Sequence, residues 1–266
     1  SWFPGFLRFV SAWAVRIKAI KDEGGHVYDS GNIQTLREKY MLTQKQYDAL
    51  MPALERQMDT DHYGEYTISN IYFDTPDFQL VRQSIEKPEY KEKLRLRAYG
   101  KATDTSVVYA ELKKKFDGVV YKRRIPVPLC QARKYLYYGI RRIEESQILK
   151  EIDYVLNRYD LKPAAFVAYD RAAYYGKGNE ELRITFDQNI CCRCSGLDLK
   201  NGVYGTMLLD KDQILMEVKI PGAMPLWMSR LFSDMGLFPV SYSKYGAYYK
   251  EYLYQGIFIE GGRICA

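Results

Sequence analysis

The stretch Lys93-Leu94-Arg95-Leu96-Arg97 alternates basic and apolar side chains, and this alternation decides the fold. In a β-strand, residues two apart point to the same face of the sheet, so the stretch predicts a strand with cations on one face and leucines on the other. Four more segments repeat the pattern. Their charged sides carry Glu111, Lys113 and Lys115, then Lys122 and Arg124, then Arg183 and Asp187, and finally Glu217 and Lys219.

Further strands and helices are predicted on both sides of these segments. Alternation and turn signals predict strands over 35–42, 67–73, 91–99, 107–115, 121–127, 164–174, 182–192 and 214–220. Helical spacing predicts helices from Thr43, where Gln46 completes a capping-box pattern, and over 143–159, 225–235 and 243–254. We expect an α+β fold with an N-terminal amphipathic extension over 1–30, one antiparallel domain over 31–256 and a C-terminal tail over 257–266.

The charged faces of these strands either meet water or line an enclosed channel. One strand of this kind is typical of any half-exposed antiparallel sheet. Five strands with the same cationic bias favour a lumen, with the apolar faces packed on helices. The 25 tyrosines are also typical of a β-rich fold, because the ring packs on a sheet while the hydroxyl group reaches a polar partner.

Cations that line a narrow channel repel each other and need a counter-charge. Two unit charges about 6 Å apart cost roughly 2–3 kcal/mol at an effective dielectric constant near 20. The net charge of +6 and the isoelectric point near 8.8 agree with an anionic partner. Forked arginine donors and lysine point charges suit phosphate oxygens, and a phosphate thread fits a pore better than duplex nucleic acid does. No nucleic acid partner is expected, and Glu111, Asp187 and Glu217 are candidate ligands for Mg²⁺ or Mn²⁺.

The first residues combine apolar and basic side chains. Residues 2–20 are too short and too charged for a spanning helix, and they lack the order of a secretion signal. A basic amphipathic helix at 1–21 either contacts a membrane surface or packs on the domain, and both readings stay open. The odd cysteine count, five, fits a reducing compartment. The expected location is the cytoplasm, and the first of the two readings adds membrane association through residues 1–21.

Eight short motifs occur in an order that resembles a known family. They are Arg37-Glu38-Lys39-Tyr40, Ser69-Asn70-Ile71-Tyr72-Phe73-Asp74-Thr75, Lys93-Leu94-Arg95-Leu96-Arg97, Glu111-Leu112-Lys113, Tyr169-Asp170-Arg171, Leu182-Arg183-Ile184, Met216-Glu217-Val218-Lys219 and Ser241-Tyr242-Ser243-Lys244-Tyr245. The series, over about 34–254, resembles the VTC domain, the polyphosphate polymerase branch of the triphosphate tunnel metalloenzymes of the CYTH-like superfamily.

This resemblance implies an eight-stranded antiparallel β-barrel tunnel with surrounding helices. It also implies an enzyme that transfers the γ-phosphate of ATP to a growing polyphosphate chain and releases ADP, with Mn²⁺ or Mg²⁺ as cofactor. The catalytic residues that it implies are Arg95, Arg97, Lys113, Arg171, Arg183 and Glu217. Those implied to bind phosphate or nucleotide are Lys39, Lys93, Lys122, Arg124, Lys219, Ser243 and Lys244. The metal ligands that it implies are Glu217 and Glu111.

One departure from the wider superfamily bears on the reaction. The hydrolytic and cyclase relatives begin with the pattern Glu-x-Glu-x-Lys, whereas this chain has Thr35 and Arg37 before Lys39. The first strand therefore offers no inward carboxylate pair, and Glu38 is out of phase with Lys39. This favours the polymerase over a triphosphatase. A tunnel triphosphatase acting on tripolyphosphate or nucleotides, and a non-catalytic polyanion-binding module, remain as alternatives.

Overall fold

The computed structural model describes residues 35–254 except 87, 118 and 142. An antiparallel sheet and flanking helices make up this part of the chain. The strands are β1 (Thr35–Thr43), β2 (Met58–Thr60), β3 (Tyr66–Asp74), β4 (Tyr90–Tyr99), β5 (Val107–Phe116), β6 (Val119–Pro128), β7 (Lys162–Gly176), β8 (Asn179–Arg193), β9 (Thr206–Met207) and β10 (Gln213–Pro221). The helices are α1 (Gln44–Gln57), α2 (Gln79–Glu86), α3 (Leu129–Tyr138), α4 (Gln147–Tyr159), α5 (Leu226–Asp234) and α6 (Lys244–Tyr248), and a π-helical turn follows at Tyr249–Leu253.

The sheet contains the eight predicted strands as one path and two short additions. The order is β1-β10-β8-β7-β3-β4-β5-β6, with β2 paired to β7 and β9 paired to β8. The α+β antiparallel fold is therefore confirmed. The predicted closure is wrong in one respect, because β1 and β6, the two ends of this path, are not hydrogen-bonded to each other within the described residues. The sheet is open, not a hydrogen-bonded barrel.

Two apolar clusters cover one face of the sheet, which we call the outer face. Under α3 and α4, the first cluster includes Leu94, Leu112 and Ile152. Under α1 and α5, the second includes Ile184 and Val218. The residues that alternate with these leucines, isoleucines and valines therefore point to the opposite, inner face. The prediction that the apolar faces pack on helices is confirmed.

A third apolar cluster lies on the inner face, under the C-terminal segment. Tyr245 and Tyr248 of α6 pack there with Ile68, Val167 and Leu215. The segment after α6 departs from the predicted helix over 243–254, because α6 ends at Tyr248 and a π-helical turn continues to Leu253. The inner face is thus apolar where α6 covers it and charged elsewhere.

Local capping explains where several helices begin and end. The capping box of Thr43 and Gln46 is present at the start of α1, as predicted. The helix predicted over 143–159 begins later, at Gln147, because the Ser146 hydroxyl accepts a hydrogen bond from the Leu149 N–H. The sequence analysis missed α2 and α3. In α3 the tyrosine-rich sequence gave no clear helical signal, although Gly139 ends the helix with φ of 69°.

Several predictions fall on residues outside the described part or concern its chemistry. The extension 1–30, the membrane contact through 1–21 and the tail 257–266 lie outside the described residues. No helix of the described part has the length and apolar character needed to cross a bilayer. Cys130, Cys191 and Cys192 are free thiols, whereas Cys194 is disulfide-bonded, which departs from the reducing compartment inferred from the cysteine count.

Asp74, the last residue of β3, organises the junction with α2. Its buried carboxylate accepts hydrogen bonds from the backbone N–H groups of Thr75 at 2.9 Å, Leu80 at 2.8 Å and Val81 at 3.0 Å. The first N–H groups of a helix have no intrahelical partner, so Asp74 satisfies the start of α2 from outside. The Tyr245 hydroxyl donates to the same carboxylate at 3.0 Å, which links α6 to this junction.

We predict that Asp74→Ala lowers the free energy of unfolding by about 2–3 kcal/mol, because several buried donors lose their acceptor. Urea-induced unfolding monitored by circular dichroism measures this change. The control is Asp59→Ala, since Asp59 is largely exposed and pairs with Lys177 only at 3.8 Å. The control should stay within about 0.5 kcal/mol of the parent protein. Equal stabilities of the two variants would contradict the capping role of Asp74.

Candidate active site

Three lysines stand side by side across neighbouring strands of the inner face. In the strand register, Lys93 of β4 is the direct partner of Lys113 of β5, which is the direct partner of Lys122 of β6. Neighbouring strands lie about 4.8 Å apart, so the side chains begin close together. In the described part of the chain Lys122 pairs with Glu111, while Lys93 and Lys113 have no ion pair. We call these three residues the lysine row.

The surroundings of the lysine row make its positive charge costly. Burial lowers the pKa of Lys93 to about 8, and the neighbouring Lys113 and Lys39 add to this lowering. Burial and nearby cations also lower the pKa of Lys113. Like charges placed directly opposite each other destabilise a sheet. The row is therefore a place where an anion would be strongly stabilised.

Glu111 provides the main counter-charge in the adjacent row of the sheet. Arg95 donates to its Oε2 atom from Nε at 2.8 Å, and Arg97 lies 3.8 Å from the same oxygen. The Lys122 Nζ atom lies 3.1 Å from Oε1. Burial alone would raise the pKa of Glu111, but these three cations lower it to about 2. Glu111 is thus a buried, permanently ionised anchor for the surrounding cations.

The two arginines are also held by neutral partners from β3. Arg95 Nη1 donates to the Tyr72 hydroxyl at 3.1 Å, and Arg97 Nε donates to the Asn70 side-chain oxygen at 3.0 Å. Burial would raise the pKa of Tyr72, but Arg95 and other cations lower it to about 8. These partners fix the guanidinium groups before any ligand arrives.

A second buried carboxylate, Asp187, joins β7, β8 and α6. Arg171 donates to it in a bidentate arrangement, from Nε at 2.6 Å and from Nη2 at 2.8 Å. The Lys244 ammonium group donates to Asp187 Oδ2 and lies 4.2 Å from the centroid of the Tyr169 ring. Burial alone would raise the pKa of Asp187, but Lys244 and Arg171 lower it. Asp187 therefore holds Arg171, which was predicted to be catalytic, and Lys244, which was predicted to bind phosphate, in place.

Glu217 occupies a more open position than the other two carboxylates. Its side chain is 30% exposed, and its Oε1 atom lies 3.9 Å from Arg37 Nη1. Burial lowers the pKa of Lys39, while Glu217 partly offsets that effect. The Lys39 ammonium group also donates to the backbone carbonyl of Tyr242. Glu217 therefore lies among cations without being fully engaged by them.

The remaining predicted residues lie on the same face but have looser contacts. Arg183 is the register partner of Lys219, and its guanidinium group lies 4.8 Å from the centroid of the Tyr175 ring. Arg124 lies 4.9 Å from the Tyr109 ring centroid. Ser243 caps α6 by accepting a hydrogen bond from Gly246 N–H at 3.3 Å. The phosphate contact predicted for Ser243 stays a prediction.

The described residues contain no group of three histidine, cysteine, aspartate or glutamate side chains able to hold a metal ion. Arg95 and Arg97 lie against Oε2 of Glu111, and Oε1 has the Lys122 ion pair but no hydrogen bond, so the metal role of Glu111 stays a prediction. Glu217, being partly exposed, fits a cation that arrives with phosphate oxygens and takes one protein carboxylate. The donor set therefore suits a metal–phosphate complex and not a metal ion bound by protein alone.

Sequence reasoning missed the neutral groups that orient the cations. Asn70 and Tyr72 alternate with Ile71 and Phe73 along β3, so the period-two pattern could have placed them on the charged face. Tyr169, whose hydroxyl accepts from Arg97 Nη2 at 3.4 Å, has no comparable signal of its own. Its role depends on the pairing of distant strands.

We predict that Glu111→Gln lowers the free energy of unfolding by roughly 3–5 kcal/mol, because it leaves three clustered cations without their buried counter-charge. Added tripolyphosphate should raise the melting temperature of this variant more than that of the parent protein, since the anion replaces the lost charge. Thermal unfolding with and without tripolyphosphate measures both effects.

The control for this experiment is Glu92→Gln. Glu92 is another buried glutamate on β4, but it faces outward and lies 3.8 Å from Lys114. Tripolyphosphate should raise its melting temperature by the same amount as in the parent protein. A similar increase in both variants would show that Glu111 does not neutralise the anion-binding cations.

Comparisons with known proteins agree with this arrangement. The chain is 23% identical over 145 residues to vacuolar transporter chaperone complex subunit 2 of Schizosaccharomyces pombe, which covers 49% of this chain and 20% of that protein. The match thus spans about a fifth of the relative's length. The fold is similar to that of a Hippeastrum protein named as an adenylyl cyclase and described with a dominant triphosphatase activity. The TM-score is 0.50 and the identity 14%, over 85% of this chain and 97% of that one.

The sequence model of the VTC domain matches residues 34–252. This range includes every strand that carries the lysine row, Glu111, Asp187 and Glu217. Since the match extends over most of the chain and ends within the segment that follows α6, we conclude that the chain belongs to the VTC domain family.

Proposed function

We propose that the inner face binds ATP and inorganic polyphosphate and that the chain is a polyphosphate polymerase. The reaction transfers the γ-phosphate of ATP to the end of a polyphosphate chain and releases ADP. The observation that supports this most directly is the lysine row, because the half-buried Lys93 and the more exposed Lys113 are aligned and have no ion pair in the described residues. A row of phosphates supplies the negative charge that these side chains need.

The neighbouring arginines suit the transferred phosphoryl group. Phosphoryl transfer requires positioning and charge stabilisation more than covalent help from the protein. Arg95 and Arg97 are already oriented by Glu111, Tyr72 and Asn70. Donors that are fixed in advance stabilise developing charge without reorganising during the reaction. Arg171 of β7, which is held by Asp187 of β8, would stabilise charge on the transferred group in the same way.

The acceptor in this reaction needs no general base from the protein. A terminal phosphate of polyphosphate is already ionised near neutral pH, so its oxygen can attack directly once it is aligned. Lys39 and Lys244, at the segment around α6, would align the acceptor chain, since both ammonium groups are held by protein oxygens. Arg183 of β8 and Lys219 of β10 would hold further phosphates on the inner face.

A divalent cation, Mn²⁺ or Mg²⁺, would offset phosphate charge in this site. Glu217 is the carboxylate that fits such an ion, because its side chain is partly exposed. With ATP as substrate, we also propose a cytoplasmic location for the domain, with membrane contact through residues 1–21.

A second candidate is polyanion binding without turnover. It is favoured by the engagement of Glu111 with three cations, which leaves Glu217 as the accessible carboxylate of the pair proposed for the metal. If the chain is a polymerase, the Glu217→Ala variant should lose nearly all ATP turnover and keep its affinity for tripolyphosphate. Turnover is measured by ADP release, and affinity by calorimetric titration. Undiminished turnover would contradict the role of Glu217.

The central test compares two adjacent lysines of β5 that point to opposite faces. Lys113 lies in the lysine row, whereas Lys114 points outward and lies 3.8 Å from Glu92. We predict that Lys113→Ala weakens tripolyphosphate binding about tenfold or more, since it removes a charge-assisted contact. Lys114→Ala should bind like the parent protein. Both are measured by titration of tripolyphosphate.

The same proteins are then incubated with ATP and Mn²⁺, and the products are separated on a gel. A ladder of phosphate polymers from the parent protein and from Lys114→Ala, with a strong reduction in Lys113→Ala, is the expected result. Free phosphate without a ladder would identify a triphosphatase. Tight tripolyphosphate binding with neither product would identify the polyanion-binding alternative.

A further inference from the structure

Four tyrosines of the inner face lie beside its arginines. Tyr99 lies two residues after Arg97 on β4, so the two side chains share a face. The other three are register partners of inner-face arginines. Tyr109 pairs with Arg97, Tyr66 pairs with Arg171, and Tyr175 pairs with Arg183. We call Tyr66, Tyr99, Tyr109 and Tyr175 the aromatic collar.

Three rings of the collar, those of Tyr66, Tyr99 and Tyr109, form a connected set of aromatic surfaces. The Tyr99 ring lies 6.1 Å from the Tyr66 ring and 5.7 Å from the Tyr109 ring, measured between centroids. Tyr99 is 43% exposed, and the other three rings are half-buried. The collar is thus held by its neighbours yet open to a ligand at Tyr99.

Guanidinium groups accompany three of these rings. Arg97 lies 5.9 Å from the Tyr99 centroid, Arg124 lies 4.9 Å from the Tyr109 centroid, and Arg183 lies 4.8 Å from the Tyr175 centroid. Aromatic rings and guanidinium planes together stack on nucleobases, and they do so with little preference for the base. A bare phosphate chain has no flat apolar surface, so it gains nothing from such rings.

The collar lies in line with the phosphate-binding residues. Along β4 the inner-face side chains occur in the order Lys93, Arg95, Arg97 and Tyr99. Successive members of this series are about 6.8 Å apart, because the strand rises about 3.4 Å per residue. A triphosphate that contacts Arg95 and Arg97 therefore has its attached nucleoside directed towards Tyr99 or, in the reverse orientation, towards Lys93. Among the described inner-face residues of β4, the one aromatic ring is that of Tyr99, so the nucleoside has a ring to stack on at the Tyr99 end and not at the Lys93 end.

We propose that the aromatic collar binds the base of a nucleoside triphosphate by stacking, with Tyr99 as the principal contact, and that it accepts purine bases without distinguishing them. This inference rests on the proposed function, since it assumes that the triphosphate occupies the inner-face cations. It adds two expectations about the ligand. The base strengthens binding relative to tripolyphosphate, and ATP and GTP bind with similar affinity. It also assigns a direction, with the nucleoside at the collar and the terminal phosphate towards the lysine row.

The experiment titrates the full chain with ATP, GTP and tripolyphosphate in a calorimeter. Tyr99→Leu removes the ring but keeps an apolar side chain, Tyr99→Phe keeps the ring, and Tyr138→Leu changes an exposed tyrosine on α3 as the control. We expect Tyr99→Leu to weaken ATP and GTP binding about tenfold and to leave tripolyphosphate binding unchanged. Tyr99→Phe and Tyr138→Leu should bind all three ligands like the parent protein.

The outcomes separate this inference from the function on which it rests. If tripolyphosphate binds but ATP binds no more tightly in the parent protein than in Tyr99→Leu, the collar does not hold the base, while the phosphate site stands. A strong preference of the parent protein for ATP over GTP would overturn the stacking mode, since it requires recognition of the base edge. If none of the three ligands binds, both proposals fail.

Discussion

Repulsion between like charges is the constraint on which the inner face depends. The strand register aligns Lys93, Lys113 and Lys122, so these residues stay on neighbouring strands as long as β4, β5 and β6 remain paired. The opposite sides of the same strands contribute Leu94, Leu112 and Ile125 to a buried apolar cluster. Burial of that surface, at roughly 25 cal/mol per Å², holds the strands together against the repulsion. A shift of the strand register by one residue would move the lysines to the outer face and the apolar side chains to the inner face.

Two buried carboxylates divide the task of limiting this repulsion. Glu111 serves the cations of β4 and β6, and Asp187 serves Arg171 of β7 and Lys244 of α6. Neither reaches the centre of the lysine row, which keeps an excess of positive charge. The uncompensated positive charge lowers the stability of the fold, but it leaves hydrogen-bond donors that are fixed in position and lack a full set of acceptors. That is the property expected of a site prepared for a highly charged ligand.

Alternation along single strands allowed much of this face to be predicted. Because the period of two is a local property, Lys93, Arg95 and Arg97 could be assigned to one face without knowledge of any partner strand. The register was not accessible in this way, so the alignment of three lysines and the ion pair between Lys122 and Glu111 came only with the structure. The predicted closure of the barrel failed for the same reason, since it depends on the pairing of β1 with β6.

Contacts between distant parts of the chain were also beyond local reasoning. The helix α2 depends on Asp74, whose carboxylate reaches Leu80 and Val81 across a turn. Asp187 and Lys244 were both noted in the sequence, but their mutual contact follows from α6 packing on the inner face. The cations were therefore predictable as a set, whereas the groups that orient them were not.

The position of α6 has a consequence for how the domain is made. The segment before it supplies the Tyr242 carbonyl to Lys39 of β1, and α6 itself supplies Lys244 to Asp187 and Tyr245 to Asp74. The first described strand and α6 thus meet at the inner face. During synthesis on the ribosome, this face stays incomplete until residue 245 has emerged. The cations of β4, β5 and β6 are made earlier, so the last contacts to form are those that Lys39, Asp187 and Asp74 make with residues 242–245.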